Sequence, residues 1–421
     1  MRKQKLRDWI RRGCILLLLA SALLLLRNTG YYAGFREMLL GQSERSERTE
    51  TSGGAAPQAD VSVLPVAVTV RGPDGGARYG AAYDGENTSA VLRRFSVDLG
   101  EALGSADDPA ELNEADCRAK MNGCCVCFHF ACPLPLNLLS GWLGTEMSGG
   151  AAADSAVTVC LCASETETTL CYRTPEGLYF NCATAAKPDA LRARTAEFPP
   201  NGALYAWESD RLEGGETLLL QEAPHPAVVK SAVALPNGEE TNALLQTMGM
   251  NSFVASSYSE VDGTTVFIHE ETSLRISPTG TASFRRAASL NERGGTMSEA
   301  VNAAWQTAER TIGIDCGDGG LLFAGVSFSE AQETYTVLLD YVVDGIPVRL
   351  ASGHAAEIVL HGDTVIQARL QFRRFTRTEE QTVLLPYLQA AAIAAAQQAE
   401  PELIYADAGN DTVCMWVIAD G

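Results

Sequence analysis

The sequence predicts an α+β fold: an N-terminal transmembrane helix followed by two mixed α+β domains with antiparallel sheets. Three observations predict it. A basic flank precedes a leucine-rich apolar run at the N-terminus. Beyond that run, short β-branched and aromatic stretches bounded by Gly, Pro, Asn and Asp read as strands. Finally, strands and helices follow one another without a regular βαβ rhythm, which argues for α+β rather than a parallel α/β sheet.

The first element is the anchor. Arg2, Lys3, Lys5, Arg7, Arg11 and Arg12 precede the run GCILLLLASALLLL at 13–26. A basic flank stays on the cytoplasmic side, so the bulk of the chain is expected to be extracytoplasmic. The run has 14 residues, whereas a spanning helix needs about 20; Trp9 and Ile10 extend it if Arg11 and Arg12 snorkel to the headgroups. A cleaved signal peptide shares the same outline. Against cleavage, Arg27-Asn28-Thr29 follows the run in place of a small-x-small site, and Ala20-Ser21-Ala22 lies inside it. Cys14 sits before the leucines, which does not suit lipid attachment. The expected order is a cytoplasmic basic tail (1–12), an anchor (13–27) and a stalk (28–60) whose second half is rich in Ser, Glu, Gly and Ala. The apolar side chains Ile15, Leu16, Leu17, Leu18, Leu19, Leu23, Leu24, Leu25 and Leu26 are the candidate lateral contact for a membrane partner, though no GxxxG favours close helix approach.

The first ectodomain is expected over 61–225. Its elements are a strand at 61–70, a turn at Pro73, a helix over 87–106 with Val91, Leu92, Phe95, Val97, Leu99 and Leu103 as its apolar positions, and a strand at 124–130. A short helix over 134–143, a hairpin of 157–163 with 168–172, a strand at 178–183, a short helix at 191–197 and a strand at 218–221 complete it. Pro224-His225-Pro226 and Pro236-Asn237-Gly238 mark the boundary with the second domain, 226–421. There a helix over 239–248 precedes short strands at 256–258, 264–270, 273–276 and 282–286, and then an amphipathic helix over 297–312. An antiparallel meander is expected from 333 to 375, turning at Asp344-Gly345 and Gly362-Asp363. A helix over 384–398 and strands at 402–406 and 414–418 finish the chain.

Charge narrows the function. Residues 1–27 hold seven basic residues and one acid of the chain's 32 and 52, leaving 25 basic against 51 acidic. Such an ectodomain is poorly suited to nucleic acid, which selects basic surface. Twelve cysteines are many for an exported chain. Cys125 and Cys127 share one face of a strand, as do Cys160 and Cys162. Three readings stand for them: small buried apolar residues, one or more disulfides, or a metal site, for which separated CxxC knuckles are missing.

The search for reactive residues yields no candidate catalytic, cofactor-binding or metal-ligating set. The sequence has no GxSxG, no GxxxxGK[ST] and no dinucleotide fingerprint after a strand. His269-Glu270 opens like a zincin motif, but Ser273 stands where the second histidine belongs. His129 sits in a strand, and His225, His354 and His361 flank turns. Asp315, Asp318, Asp407, Asn410 and Asp411 read as hairpin-turn residues rather than a calcium loop.

The order of features resembles the YycH/YycI regulators, membrane-anchored accessory proteins of a cell-wall sensor kinase in Gram-positive bacteria. The likeness is carried by the N-terminal anchor, by LDYVVDGIPVRL at 339–350, by EIVLHGDTVIQARLQFRRF at 357–375, and by the helix from Leu384 leading to the closing CMWVI strand. The resemblance implies a non-enzymatic regulator without a cofactor, bound in the membrane to a sensor histidine kinase, with a paralogous anchored regulator as a further partner. The other readings of the sequence are an interaction protein of envelope or spore assembly, and an anchored envelope hydrolase built on carboxylates.

Overall fold

In the computed structural model, residues 64–209, 215–287, 295–397, 399–409 and 411–418 are described. The expected tail, anchor and stalk lie outside them, as do the apolar side chains from Ile15 to Leu26. Among the described residues, no helix is long and apolar enough to cross a membrane. The expected α+β class with antiparallel sheets is present, and the described residues belong to one compact unit.

The first sheet has seven antiparallel strands: β1 (Ala67–Arg71), β2 (Tyr79–Ala82), β3 (Ala110–Leu112), β4 (Cys124–Pro135), β5 (Ser155–Ala163), β6 (Thr168–Arg173) and β7 (Tyr179–Ala183). Their order is β2-β1-β4-β5-β6-β7-β3, so β4 and β5 are central. Side chains alternate between the faces of a strand, and the burial follows that period. Val126, Phe128, Val159, Leu161, Leu170 and Tyr172 join a core with Phe95 and Leu99 of α1 (Gly85–Gly104). The opposite face carries Cys125, Cys127, Cys160, Cys162 and Cys171, covered by Cys117 and Met121 of α2 (Glu114–Met121) and by Tyr205 and Leu218. Those last two belong to the short pair β8 (Leu204–Tyr205) and β9 (Leu218–Leu219). Helices α3 (Leu136–Trp142) and α4 (Pro188–Thr195) add Leu138, Leu139 and Leu191 to the apolar core.

Strand β10 (Ala227–Val233) opens the second half, followed by α5 (Gly238–Thr247). The large sheet begins with β11 (Ser256–Ser259), β12 (Thr265–His269), β13 (Thr272–Ile276) and β14 (Thr281–Arg286). After α6 (Met297–Glu309) come β15 (Gly320–Ser329), β16 (Thr334–Val343), β17 (Ile346–Leu350), β18 (Ala356–His361), β19 (Thr364–Gln371) and β20 (Arg373–Gln381). Helix α7 (Tyr387–Ala396) leads to β21 (Pro401–Asp407) and β22 (Thr412–Ile418). The order is β11-β12-β13-β14-β19-β18-β16-β17-β21-β22, with β15 also on β16. Ala300, Val301, Ala304 and Ala308 form the buried face of α6, which a Thr296–Glu299 capping box starts.

Several expectations need correction. The stretch 364–375 is two strands, because Phe372 separates β19 on the large sheet from β20, which pairs with β10. The expected meander is also not simple: β18 pairs with β16 rather than β17, and β17 pairs with β21 in parallel. Val97 stands 43% exposed on the outer side of α1 rather than with its apolar positions. Leu134 ends β4 instead of starting α3. Helix α2 and strands β2, β3, β8, β10 and β15 were not expected. The helix reads EADCRAKM, too polar for an apolar stripe; it is started by Asn113, whose side chain accepts from Asp116 N–H at 2.9 Å.

Candidate functional site

Asp344 and Gly345 both have positive φ, 53° and 84°, the combination of a two-residue type I′ hairpin turn. This turn joins β16 to β17 and docks on the start of α1. The Gly85 N–H donates to Asp344 O at 3.0 Å, and a Cβ on Gly345 would run into the Gly85 backbone. Asp84 caps α1, accepting from Asn87 N–H at 3.0 Å. Next to this junction opens a cleft of about 970 Å³. One wall is β2 with the start of α1, a second is the loop 220–227 entering β10, and a third is the Asp344 turn with the end of β20. Asp84, Glu86, Glu222, Asp344, Glu379 and Glu380 line it, with His225 and no lysine or arginine among the described lining residues. The cleft is therefore a cation-selective surface. Asp344 already binds Arg377 at 2.6 Å, and Asp84 serves the helix cap, which leaves Glu86, Glu222, Glu379 and Glu380 as carboxylates for a ligand.

A second polar constellation lies under the covering layer of the first sheet. Arg78, 2% exposed, grips Glu208 with two nitrogens at 3.0 and 3.1 Å. It also donates to Met121 O at 2.6 Å and to Asn122 Oδ1 at 2.5 Å, and lies over the Tyr205 ring. Burial pushes the Glu208 carboxyl up, but Arg78, the Tyr205 N–H and Arg71 outweigh it and hold the carboxyl below its usual range. The Tyr205 hydroxyl meets Thr69 Oγ1 at 2.9 Å and His129 Nε2 at 3.0 Å. His129 Nδ1 meets Thr158 Oγ1 at 3.2 Å, and Thr158 donates to the buried Glu216 at 3.0 Å. Arg173 closes the chain, 3.1 Å from Glu216. Burial lowers the His129 pKa to about 4, so the ring is neutral at physiological pH, with both nitrogens engaged.

The thiols occupy the same layer. Cys127 and Cys160, direct partners across β4 and β5, form a disulfide. Cys117, Cys125, Cys162 and Cys171 are free and buried beside it. The cysteines thus combine two of the three sequence readings: one bridge, and small buried side chains around it. Burial pushes the Cys125 thiol up to about 11 although Arg78 opposes this. The interaction between the neighbouring Cys162 and Cys171 thiols raises the Cys162 pKa and lowers that of Cys171. Among the described residues, no group of three or more His, Cys, Asp or Glu is arranged to hold a metal ion.

The other sequence landmarks are scattered. His269 ends β12, far in topology from His129 in β4. The His354 Nδ1–H donates to Asp340 Oδ1 at 2.8 Å. Asp315 and Asp318 pair with Arg374 and Arg377, and Asp407 with the buried Arg373 at 2.7 Å. Sequence reading missed both the cleft and the Arg78–Glu208 pair, although the Asp344-Gly345 turn and the Pro224-His225-Pro226 boundary, which both line the cleft, were visible. Comparison with known proteins found no match: no family model, no curated protein and no solved structure is similar to this chain.

Proposed function

We propose that this chain is a non-enzymatic extracytoplasmic regulatory protein that binds and modulates a membrane histidine kinase of a two-component system, and that the acidic cleft receives the partner. The single observation that carries the binding reading is the cleft lining, with four carboxylates left for a ligand and no opposing cation among its described residues. Such a surface selects a partner segment bearing Lys or Arg and speeds the encounter. The kinase as partner rests on the resemblance of the anchor, the Asp344-Gly345 hairpin and the closing helix and strand. Binding one kinase conformation better than the other shifts their populations by the difference in affinity. Crosslinking in native membranes tests the proposal. Recovery of a sensor kinase, lost when Glu222, Glu379 and Glu380 become lysines, is the expected result; membranes that yield no kinase or other membrane partner would overturn it.

A hydrolase reading has one observation in its favour, the gathering of carboxylates on a single cleft. General acid–base work needs two carboxylates flanking a bond, and Asp84 and Asp344 are committed to the helix cap and to Arg377. Wall-glycan cleavage by the purified ectodomain, abolished in E379Q or E380Q, would favour this second reading.

A further inference from the structure

Register places three cysteines in one row across adjacent strands: Cys127 of β4 opposite Cys160 of β5, and Cys160 opposite Cys171 of β6. The Cα atoms of Cys127 and Cys160 are 4.0 Å apart, which marks the closer, non-hydrogen-bonded kind of antiparallel pair. In an interior strand the N–H and C=O of one residue point to the same neighbour. Cys160 therefore bonds through its main chain to β6, and its pair with Cys171 is the hydrogen-bonded kind, with Cα atoms about 5.5 Å apart. That separation is ordinary for a disulfide. All three side chains lie on the face covered by α2 and Tyr205, so the three cysteines form one row, and a rotation of the Cys171 side chain toward β5 is what attack of its thiolate on the bridge requires.

We propose that Cys127, Cys160 and Cys171 form a thiol–disulfide exchange site in which the bridge moves between the β4–β5 seam and the β5–β6 seam. Cys171 Sγ, as thiolate, attacks Cys160 Sγ. The Cys160–Cys171 bond forms, the Cys127–Cys160 bond breaks, and the electron pair leaves on Cys127, which takes up the proton that Cys171 gave away. No oxidant or reductant is consumed. The surroundings of Cys171 suit the attacking role. In the resting thiol its S–H donates to Asn181 Oδ1 at 3.3 Å; the sulfur also lies 3.9 Å from Thr169 Oγ1, a hydroxyl that accepts from Lys120 Nζ at 3.3 Å and so has its own proton free for a thiolate. The neighbouring Cys162 thiol and the charge of Lys120 favour the thiolate, against the effect of burial. Burial keeps external thiols away from the row, since Cys127, Cys160 and Cys171 are at most 2% exposed, and so exchange within the row is favoured over exchange with solutes.

Peptide mapping after acid quench and alkylation tests this. The native, unaltered protein is held near the ordinary cysteine pKa, about pH 8.5, and sampled with time. Labelling of Cys127 and a Cys160–Cys171 peptide pair should grow together, and Cys127 labelling in C171S should be slower by roughly an order of magnitude. C127S unfolded, reduced and then refolded with oxidised glutathione should form Cys160–Cys171 and release two glutathione thiols. Equal labelling of Cys127 in the unaltered protein and C171S would overturn the proposal. So would a C127S protein with native circular dichroism in which Cys160 and Cys171 are both alkylated.

Discussion

One face of the first sheet presents Val126, Phe128, Val159, Leu161, Leu170 and Tyr172 to a helical core, while the other presents Cys125, Cys127, His129, Cys160, Cys162 and Cys171 to α2 and the β8–β9 pair. The same strands build both faces, yet different forces hold them. The apolar face gains from area removed from water, which needs no particular partner. The thiol face is fixed by specific pairs between distant parts of the chain: Arg78 with Glu208, His129 with Tyr205, Thr158 with Glu216. A non-directional layer tolerates exchange of like for like, whereas a polar layer depends on every partner being present.

Cutting into each face should expose that difference. Phe128 is fully buried, and Phe128→Ala should cost about 3–5 kcal/mol, read as a lowered denaturant midpoint. Glu208→Gln leaves the Arg78 guanidinium buried without its counter-charge. Removing one partner of a fully buried pair costs about 3–5 kcal/mol; Glu208 is 21% exposed, so about 2–3 kcal/mol is expected after that discount. The two variants also separate by pH. The Glu208 carboxyl titrates lower in the folded state than its unfolded value of 4.5. Its contribution is therefore complete above that value and is lost as pH falls through the folded pKa. E208Q should lose this acid dependence, and F128A should keep it.

His129 acts in another window. Its pKa falls from 6.5 to about 4 on folding, so below 6.5 the unfolded chain takes up a proton that the folded one refuses. Stability should decline as pH drops from 6.5 toward 4, and then level off. His129→Gln should flatten that part of the profile, as followed by thermal unfolding across pH. An unchanged slope in H129Q would mean that the histidine is not held neutral within the layer.

The two faces also differ in how far the sequence disclosed them. Alternation in VTVCLC and CCVCFHF already put Cys160 with Cys162 and Cys125 with Cys127 on one side, because a period of two is a local property. The partners of that side were not legible. Arg78 lies 130 residues from Glu208, in a segment with no apolar pattern, and α2 hides behind a polar composition. The same reason kept β10 from view, since its ladder partner is β20, far along the chain. The Asp344-Gly345 turn was visible from its residue pair, whereas its contact with Gly85 and the cleft beside it are products of tertiary packing.

The cleft supplies the smallest expected change in stability and the sharpest contrast with both faces. Glu222, Glu379 and Glu380 are solvent-facing side chains, and surface substitutions away from caps and pairs shift stability by about 0.5 kcal/mol or less each. Converting all three to lysine should therefore leave the denaturant midpoint near that of the parent. Binding should respond in the opposite way, since each reversal replaces attraction for a cationic segment by repulsion. A Lys- and Arg-bearing peptide should bind the parent more weakly as salt rises, and should lose about tenfold or more in affinity to the triple variant, equivalent to about 1.4 kcal/mol. If the peptide bound both proteins equally and without salt dependence, the cleft's charge would have no part in recognition. The loss expected here without a loss of stability would separate a surface kept for a partner from the thiol face, where every charge removed is felt first in the fold.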